Sequence, residues 1–380
     1  MKILLITSKR LTGLNYHRQI VPFTNLDIDA QAFPEWDFNF TDEFIKEFQC
    51  VSFLRSINLY GRTLEIVERI NKLGLKVHFD IDDYWVIPSK HPLYAGYKEQ
   101  KIEVQTIEAL KNADFITTTT EYLAQRIKEY NENVYVLPNS INPEETQWQH
   151  VEVKNDKVRF GYIAGVHHNK DVELLHPNLV KLHKDNSIYD KFQLCVAGFN
   201  INAFPDGKKE LNPYYKWVEQ VFTDNYKYVK EAGYKEYLKH NNPEQNELTD
   251  MATYRRLWGL DTFNYGKLYN FIDVSLVPLH ETMFSANKSE LKLIEAGFMK
   301  KAVIVSDVKP YNILANDNNS LLIKSTRNHI DWFIAIKKLI NEPNLRNDLA
   351  EQLYEDVKVK YHIETVNVER KQIFERCVLA

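Results

Sequence analysis

Short apolar runs alternate with longer amphipathic stretches along most of the chain. KILLIT, CVSFLRS, KVHFDID, DFITTTT and VYVLPNS are brief, rich in β-branched and aromatic residues, and read as strands. Between them, RTLEIVERINKLG, VQTIEALKNA and EYLAQRIKEYN repeat their apolar residues every three to four positions, as on one face of a helix. The first of these stops on Gly74, a residue that favours a helix end. A polar, turn-rich stretch follows, from about 143 to 156, and then the alternation restarts. VRFGYIAG is a strand running into a glycine loop, ELLHPNLVKLHK a helix and FQLCVAG a strand. YNFIDVSLVPL, KSELKLIEAGF, KAVIVSD, NSLLIK and DWFIAIKKLIN continue the pattern. Periodicity weakens at about 200–250, a polar and aromatic stretch that reads as a partly helical insertion. Strands alternating with helices, twice over, predict an α/β protein of two doubly wound Rossmann-like domains. The expected boundaries are 1–148, 156–360 with the insertion, and a helix over 361–380. Two such domains would face each other across a cleft at the C-terminal ends of their strands, where ligands bind in sheets of this kind.

Composition narrows the function class. A length of 380 residues suits two domains, and 44% hydrophobic residues suffice for sizeable cores. A net charge of −4, with both signs spread along the chain, argues against a general nucleic-acid binder. The 20 Phe, 22 Tyr and 6 Trp include candidates for a sugar-binding cleft, although most belong to cores. The three cysteines are far apart and show no metal-ligand spacing, which predicts reduced thiols in a reducing compartment. MKILLITSKR moves straight into a strand-like run without the apolar core of a signal peptide, and no stretch reaches ~18 apolar residues. A cytoplasmic protein is expected, with peripheral contact at the inner face of the membrane left open.

The candidate chemistry centres on NKSELKLIEAG, Asn287 to Gly297. At 3.6 residues per turn, Lys288, Lys292 and Glu295 share one stripe. Two lysines four apart repel, and a nearby anion would remove that cost. A helix starting near Asn287 or Ser289 would turn the amides of Ser289, Glu290 and Leu291 toward a phosphate, with Lys288 adding charge. Glu295 would follow at roughly 10 Å along the axis, about the span from a diphosphate to a ribose, whose hydroxyls a carboxylate accepts. The same spacing equally fits a capped helix with a Lys292–Glu295 ion pair. HFDIDDYW sets Asp80, Asp82 and Asp83 at a strand end, where at least one of Asp80 and Asp82 is expected to face the cleft. The alternative for these acids is to cap the next helix. His167 and His168 lack further ligands at metal spacing, and no phosphate-binding GxxxxGK[ST] loop occurs.

KSELKLIEAGFMKKAVIVSDVKPY resembles the signature of GT-B glycosyltransferases of the retaining, glycogen-synthase-like superfamily (glycosyl transferases group 1, family 4-like). Glu295-Ala296-Gly297 matches the second Glu of that signature, and Ala302–Ser306 its following strand. The first Glu falls at Asn287, as in a subset carrying KSxLKxxE, which this chain resembles. VYVLPNSIN is similar to the element closing the N-terminal domain, with Asn139 the matching residue. In RFGYIAGVHHNKDVELL the matches are Gly161, Gly165, His168 and Asp171. Lys170 stands for a diphosphate-clamping Lys whose usual Arg companion is absent, which gives Lys288 more weight. TGLNYHRQIVP resembles the glycine loop after the first strand. The resemblance spans nearly the whole chain apart from 200–250.

The resemblance implies transfer of a hexose from a nucleoside-diphosphate sugar to a hydroxyl of a saccharide or glycoconjugate. It further implies retention of anomeric configuration, no metal, no cofactor beyond the donor, and a C-terminal helix packing back toward the N-terminal domain. Lys288, Asp80 and Asp82 would then be catalytic. Gly165, His168, Lys170, Ser289, Glu290, Leu291, Lys292 and Glu295 would bind the donor, and Gly13, Asn15, Arg18 and Asn139 would lie on the acceptor side. Surface polysaccharide synthesis would be the setting. A nucleotide-sugar 2-epimerase of the same fold and a catalytically degenerate partner subunit are the alternatives, the latter raised by Asn287 and the absent Arg.

Overall fold

The computed structural model describes residues 1–8, 11–34, 38–57, 61–91, 93–153, 155–165, 169–176, 178–199, 213–223, 253–324 and 330–379. They form two compact units: Met1–Asn142 with Thr282–Ser289 and Val359–Ala380, and Pro143–Glu281 with Glu290–Lys358. No described helix is long and apolar enough to cross a membrane. Cys50 and Cys195 are buried and Cys377 half-buried, all as free thiols.

The first unit is built on six parallel strands: β1 (Lys2–Ile6), β2 (Asp29–Phe33), β3 (Cys50–Leu54), β4 (Lys76–Ile81), β5 (Phe115–Thr118) and β6 (Val134–Val136). Their order is β2-β1-β3-β4-β5-β6. The direction of winding reverses between β1 and β3, which opens a crevice at their C-terminal ends. Near-continuous apolar runs are what a sheet covered on both faces requires. Alternate residues of β1 show this directly. Leu4 and Ile6 join a core with Phe53, Phe79, Ile70 and Leu110. Ile3 and Leu5 join a second core with Phe115 and with Val366, Ile373 and Phe374 of the helix Ile363–Leu379. That C-terminal helix therefore completes the first unit, and Asn367 Nδ2 ties it to Pro22 O (2.8 Å) and Asn25 O (3.0 Å).

After β1, Thr12 caps a short helical turn. Its Oγ1 accepts the Asn15 N–H while the Asn15 side chain accepts the Thr12 N–H. The helix then widens into a π turn, Tyr16–Ile20, before Val21–Thr24. Asn15, His17, Arg18 and Gln19 are buried together there, a run of polar side chains that needs internal partners.

The second unit repeats the plan with β7 (Val158–Ile163), β8 (Phe192–Phe199), β9 (Tyr254–Trp258), β10 (Val274–Val277), β11 (Ala302–Ser306) and β12 (Leu321–Ile323). The order β12-β11-β10-β7-β8-β9 puts its reversal between β7 and β10. Phe160, Leu194, Val274, Leu276 and Ile304 pack with Trp332, Ile336 and Leu339 of the helix Ile330–Asn341. The described part of the insertion is the helix Pro213–Phe222, which gives Val218, Val221 and Phe222 to this core. The remainder of 200–250 lies outside the described residues. Glu219 on that helix and Arg256 on β9 form a fully buried pair at 2.6 Å, joined by the Tyr254 hydroxyl.

Gly198 near the end of β8 has φ +106°, and an added Cβ would lie 2.6 Å from Ala164 O. Both the backbone angle and the close approach demand glycine. Gly198→Ala is expected to lower stability by about 1–3 kcal/mol, read from the urea midpoint. An unchanged midpoint would mean that the loop after β7 shifts at no cost.

Candidate functional site

In the first unit the crevice between β1 and β3 is a pocket of about 240 Å³ whose walls include Thr7, Ser8, Thr12, Asn15, Arg55 and Ser56. Ser8 Oγ donates to Asn15 Oδ1 (2.5 Å), Asn15 Nδ2 to Gln19 Oε1 (3.0 Å), and Gln19 Nε2 to Ile6 O (3.1 Å). Asn15 is thereby fixed in the wall. An added Cβ at Gly13 would meet nothing within 4 Å, so the loop is open at that point.

Arg18 leaves the π turn and is 2% exposed. Its Nε and Nη2 donate to the two oxygens of Asp80 (2.9 and 2.7 Å), and its Nη1 to Leu137 O (2.7 Å) and Asn139 Oδ1 (3.3 Å). Thr117 Oγ1 also donates to Asp80 (2.5 Å). Burial alone would raise the Asp80 pKa, but the charge and hydrogen bonds of Arg18 overcome it and hold the carboxyl below its usual range. Asp80, Arg18 and Asn139 are thus one buried network that locks the π turn to the ends of β4 and β6. Beside it, His78 sits between Ser52 Oγ and Thr117 Oγ1, each 2.8 Å away. Burial drives its pKa down to about 3, so it is a neutral imidazole.

Asp82 and Asp83 follow on the same segment. Arg55, at the end of β3 with φ 59°, donates Nε and Nη2 to Asp82 (2.5 and 2.9 Å) and Nη2 to Asp83 (2.5 Å). Lys288 Nζ lies 3.5 Å from Asp83 Oδ1 and 4.7 Å from the Phe284 ring centre. Two cations and two carboxylates alternate along this chain. Burial raises the Asp82 pKa, Arg55 opposes the rise, and the neighbouring charge of Asp83 adds to it. Ser289 is held by Asn139 Nδ2 at 2.9 Å.

Position 287, where the resemblance leads one to look for an acid, is a fully buried Asn whose Nδ2 donates to Met283 O (2.7 Å). It closes a short helix, Met283–Ala286, started by a Thr282/Ser285 capping box. The expected long helix therefore begins at Leu291, not at Asn287 or Ser289, with Glu290 buried at its cap position.

In the second unit, the helix Leu291–Phe298 sends Lys292 Nζ to Ile163 O (2.5 Å), the last carbonyl of β7. That is the strand end beside the reversal in winding. Glu295, three residues on, is 6% exposed and takes other partners: Tyr265 OH donates to Oε1 (2.6 Å) and Tyr269 OH to Oε2 (2.8 Å). Gly165 O accepts from Tyr214 OH (3.1 Å), and Asp171 Oδ1 accepts the His280 N–H (2.9 Å), joining the short helix that follows β7 to the loop after β10. Lys170 is exposed on the short helix Asn169–Glu173. His168 lies outside the described residues. Among the described residues, no group of three or more His, Cys, Asp or Glu is placed to hold a metal ion.

Sequence reasoning did not single out Arg55, Tyr265 or Tyr269. Arg55 carried a usable signal, since it ends a predicted parallel strand.

No protein-family model matches the chain, and no curated protein matches it. Solved structures do. Sucrose-phosphate synthase from Thermosynechococcus elongatus superposes with a TM-score of 0.64 at 12% identity, over 99% of this chain and 98% of that one. A glycosyltransferase from Rickettsia africae gives 0.63 at 12%, with the same coverage. HepE of Anabaena, solved with UDP and glucose, gives 0.65 at 9%, covering 99% of each chain. At such identities the likeness is one of fold, and the fold is GT-B: two Rossmann-like domains.

Proposed function

We propose that this chain is a glycosyltransferase that moves a hexosyl group from a nucleoside-diphosphate sugar to a hydroxyl of a saccharide or glycoconjugate, with retention and without a metal. The observation that carries the reading is Lys292, whose ammonium is seated at the C-terminal end of β7, beside the winding reversal of the second unit. HepE, of the same fold, was solved with UDP and glucose. The second unit would take the donor, and the pocket between β1 and β3 of the first unit would take the acceptor. In the transfer, the acceptor oxygen bonds to the anomeric carbon and the bond from that carbon to the diphosphate breaks. The electron pair leaves with the diphosphate, which also takes up the acceptor's proton. Lys292 and the first-turn amides of the helix at Leu291 would oppose the charge developing on the leaving group. Arg18, Asp80 and Asn139 would shape the acceptor side from within, as a buried frame. A cytoplasmic setting and a role in polysaccharide assembly belong to the same proposal.

Asn287 favours one rival, a folded but non-catalytic subunit. A thermal-shift panel with UDP, GDP, ADP, CMP and dTDP, on the wild type and Lys292→Ala, tests both. One diphosphate should stabilise the wild type by about 2.7 kcal/mol at ~100 times its Kd. Lys292→Ala should weaken it by about 1–3 kcal/mol. No response to any nucleotide would sink the reading. Binding without release of nucleoside diphosphate from any sugar donor would establish the rival.

A further inference from the structure

The proposed donor site lies at the C-terminal ends of the second sheet, and a different chemistry gathers at its opposite edge. Phe160, Val274 and Ala302 stand level on β7, β10 and β11, and all three join the core on one face. The residues just before them, Arg159, Asp273 and Lys301, therefore fall on the other face, on adjacent strands ~4.8 Å apart. Asp273 takes the Arg159 Nε and Nη2 at 3.1 and 2.9 Å and the Arg159 amide at 2.8 Å. Nη2 also donates to Val153 O (3.0 Å). The remaining nitrogen, Nη1, is buried and has no hydrogen-bond partner. Lys301 is 4% exposed, and among the described residues its ammonium makes neither a hydrogen bond nor an ion pair. We propose that this row is an anion site, in which Arg159 Nη1 and Lys301, with Arg346 beside them, bind the phosphate group of a small molecule.

Burial and charge support the assignment. A buried donor without an acceptor and a buried ammonium without a carboxylate are both costly, and one anion relieves both. Burial lowers the Lys301 pKa to about 8; Asp273 opposes the fall and Arg159 adds to it. The side chain is thus still mostly charged at pH 7. Arg346 comes from the helix Pro343–Val357, where its Nη1 donates to Leu339 O (2.8 Å), and it lies within reach of the Asp273 charge. Three cations therefore answer to one carboxylate. A phosphate group carries about −1.5 to −2 at pH 7, which matches the excess. The charges nearby do not remove it. Lys300 is matched by Glu351 at 3.0 Å, and Glu152 acts on His150, whose pKa burial and the charges of Lys301 and Lys300 hold down. The Asp273 side chain is 30% exposed, so the row opens to solvent. Ile163, where Lys292 is seated, is four residues further along β7, about 13 Å away. One phosphate cannot touch both, so this site is separate from the donor site and does not depend on the nucleotide-sugar reading.

Calorimetric titration with inorganic phosphate, and separately with glycerol 3-phosphate, tests this in the wild type, Lys301→Met, Lys301→Arg and Lys292→Met. The wild type and Lys292→Met should bind alike. Lys301→Met should bind at least about tenfold more weakly, the scale of one hydrogen bond to a charged group. Lys301→Arg, which restores the charge, should recover most of the affinity. Tighter binding of the ester would identify a phosphorylated metabolite as the ligand, and tighter binding of inorganic phosphate the free ion; either supports the site. In phosphate-free buffer Lys301→Met should melt no lower than the wild type, because it strands no charge. A clearly lower melting midpoint would make Lys301 a structural residue and overturn the inference. So would equal phosphate affinity in the wild type and Lys301→Met, or a loss confined to Lys292→Met, which would put the anion in the donor site. A wild type that binds neither probe would overturn it as well and leave the nucleotide-sugar reading in place.

Discussion

Asp80→Ala lowers the stability of the first unit by about 3–5 kcal/mol, the usual result of removing one partner from a buried ion pair. Arg18 would be left charged, with its side chain wholly shielded from solvent and two of its hydrogen bonds gone. Urea unfolding checks this: the transition of the first unit should move to lower denaturant while that of the second stays. The double variant Arg18→Met, Asp80→Leu should lose less, because it leaves no unpaired charge. A loss below about 1 kcal/mol for Asp80→Ala would mean that water reaches the guanidinium. The acid limb follows from the same pair. The folded Asp80 pKa is depressed, so its contribution is complete above the unfolded value near 3.9 and is lost as pH falls through the lower folded value. His78 adds to this limb. Its folded pKa of about 3 lies below the unfolded value near 6.5, so stability falls as pH drops through 6.5 and continues to fall until about 3.

Lys292→Met reduces affinity for the cognate nucleoside diphosphate by about 10–150-fold, or 1.5–3 kcal/mol for a charge-assisted hydrogen bond. The Met stem keeps most of the packing, so the effect isolates the ammonium. Calorimetric titration measures it. Affinity unchanged, with a lower melting midpoint, would reduce Lys292 to a tie between its helix and Ile163, and the donor site would have to be sought elsewhere.

The elements that the pattern revealed are those with buried faces. β1, β3, β4, β5, β7, β10 and β11 are runs of apolar residues bounded by turns, and each was legible. Two edge strands were not. β2 reads DAQAF and is largely exposed, and β9 reads YRRLW, with Arg256 neutralised by a glutamate 37 residues away. Neither shows a run of apolar residues: β2 is an edge strand only partly covered, and β9 buries an arginine whose charge is met by Glu219. The stripe on NKSELKLIEAG was legible as a charge pattern, but its partners were not. Lys288 meets Asp83 from 205 residues away, Lys292 meets a carbonyl 129 residues earlier, and Glu295 meets tyrosines 26 and 30 residues earlier. Helical spacing cannot report contacts that the sheet topology creates. The late start of the helix at Leu291 had a local signal, the Thr282-x-x-Ser285 capping box, which begins a separate short helix first.

The C-terminal helix has a consequence for synthesis. Ile3, Leu5 and Phe115 are in place early, yet the side chains that cover them, Val366, Ile373 and Phe374, are among the last to be made. At 5–20 residues per second, the ribosome needs roughly 13–50 s to travel from Phe115 to Phe374. For that interval one side of the nascent first sheet lacks a large part of its apolar cover, a surface for holding chaperones to occupy. A chain cut short before Val366 never loses it, so an unfinished product carries its own mark for proteolytic triage.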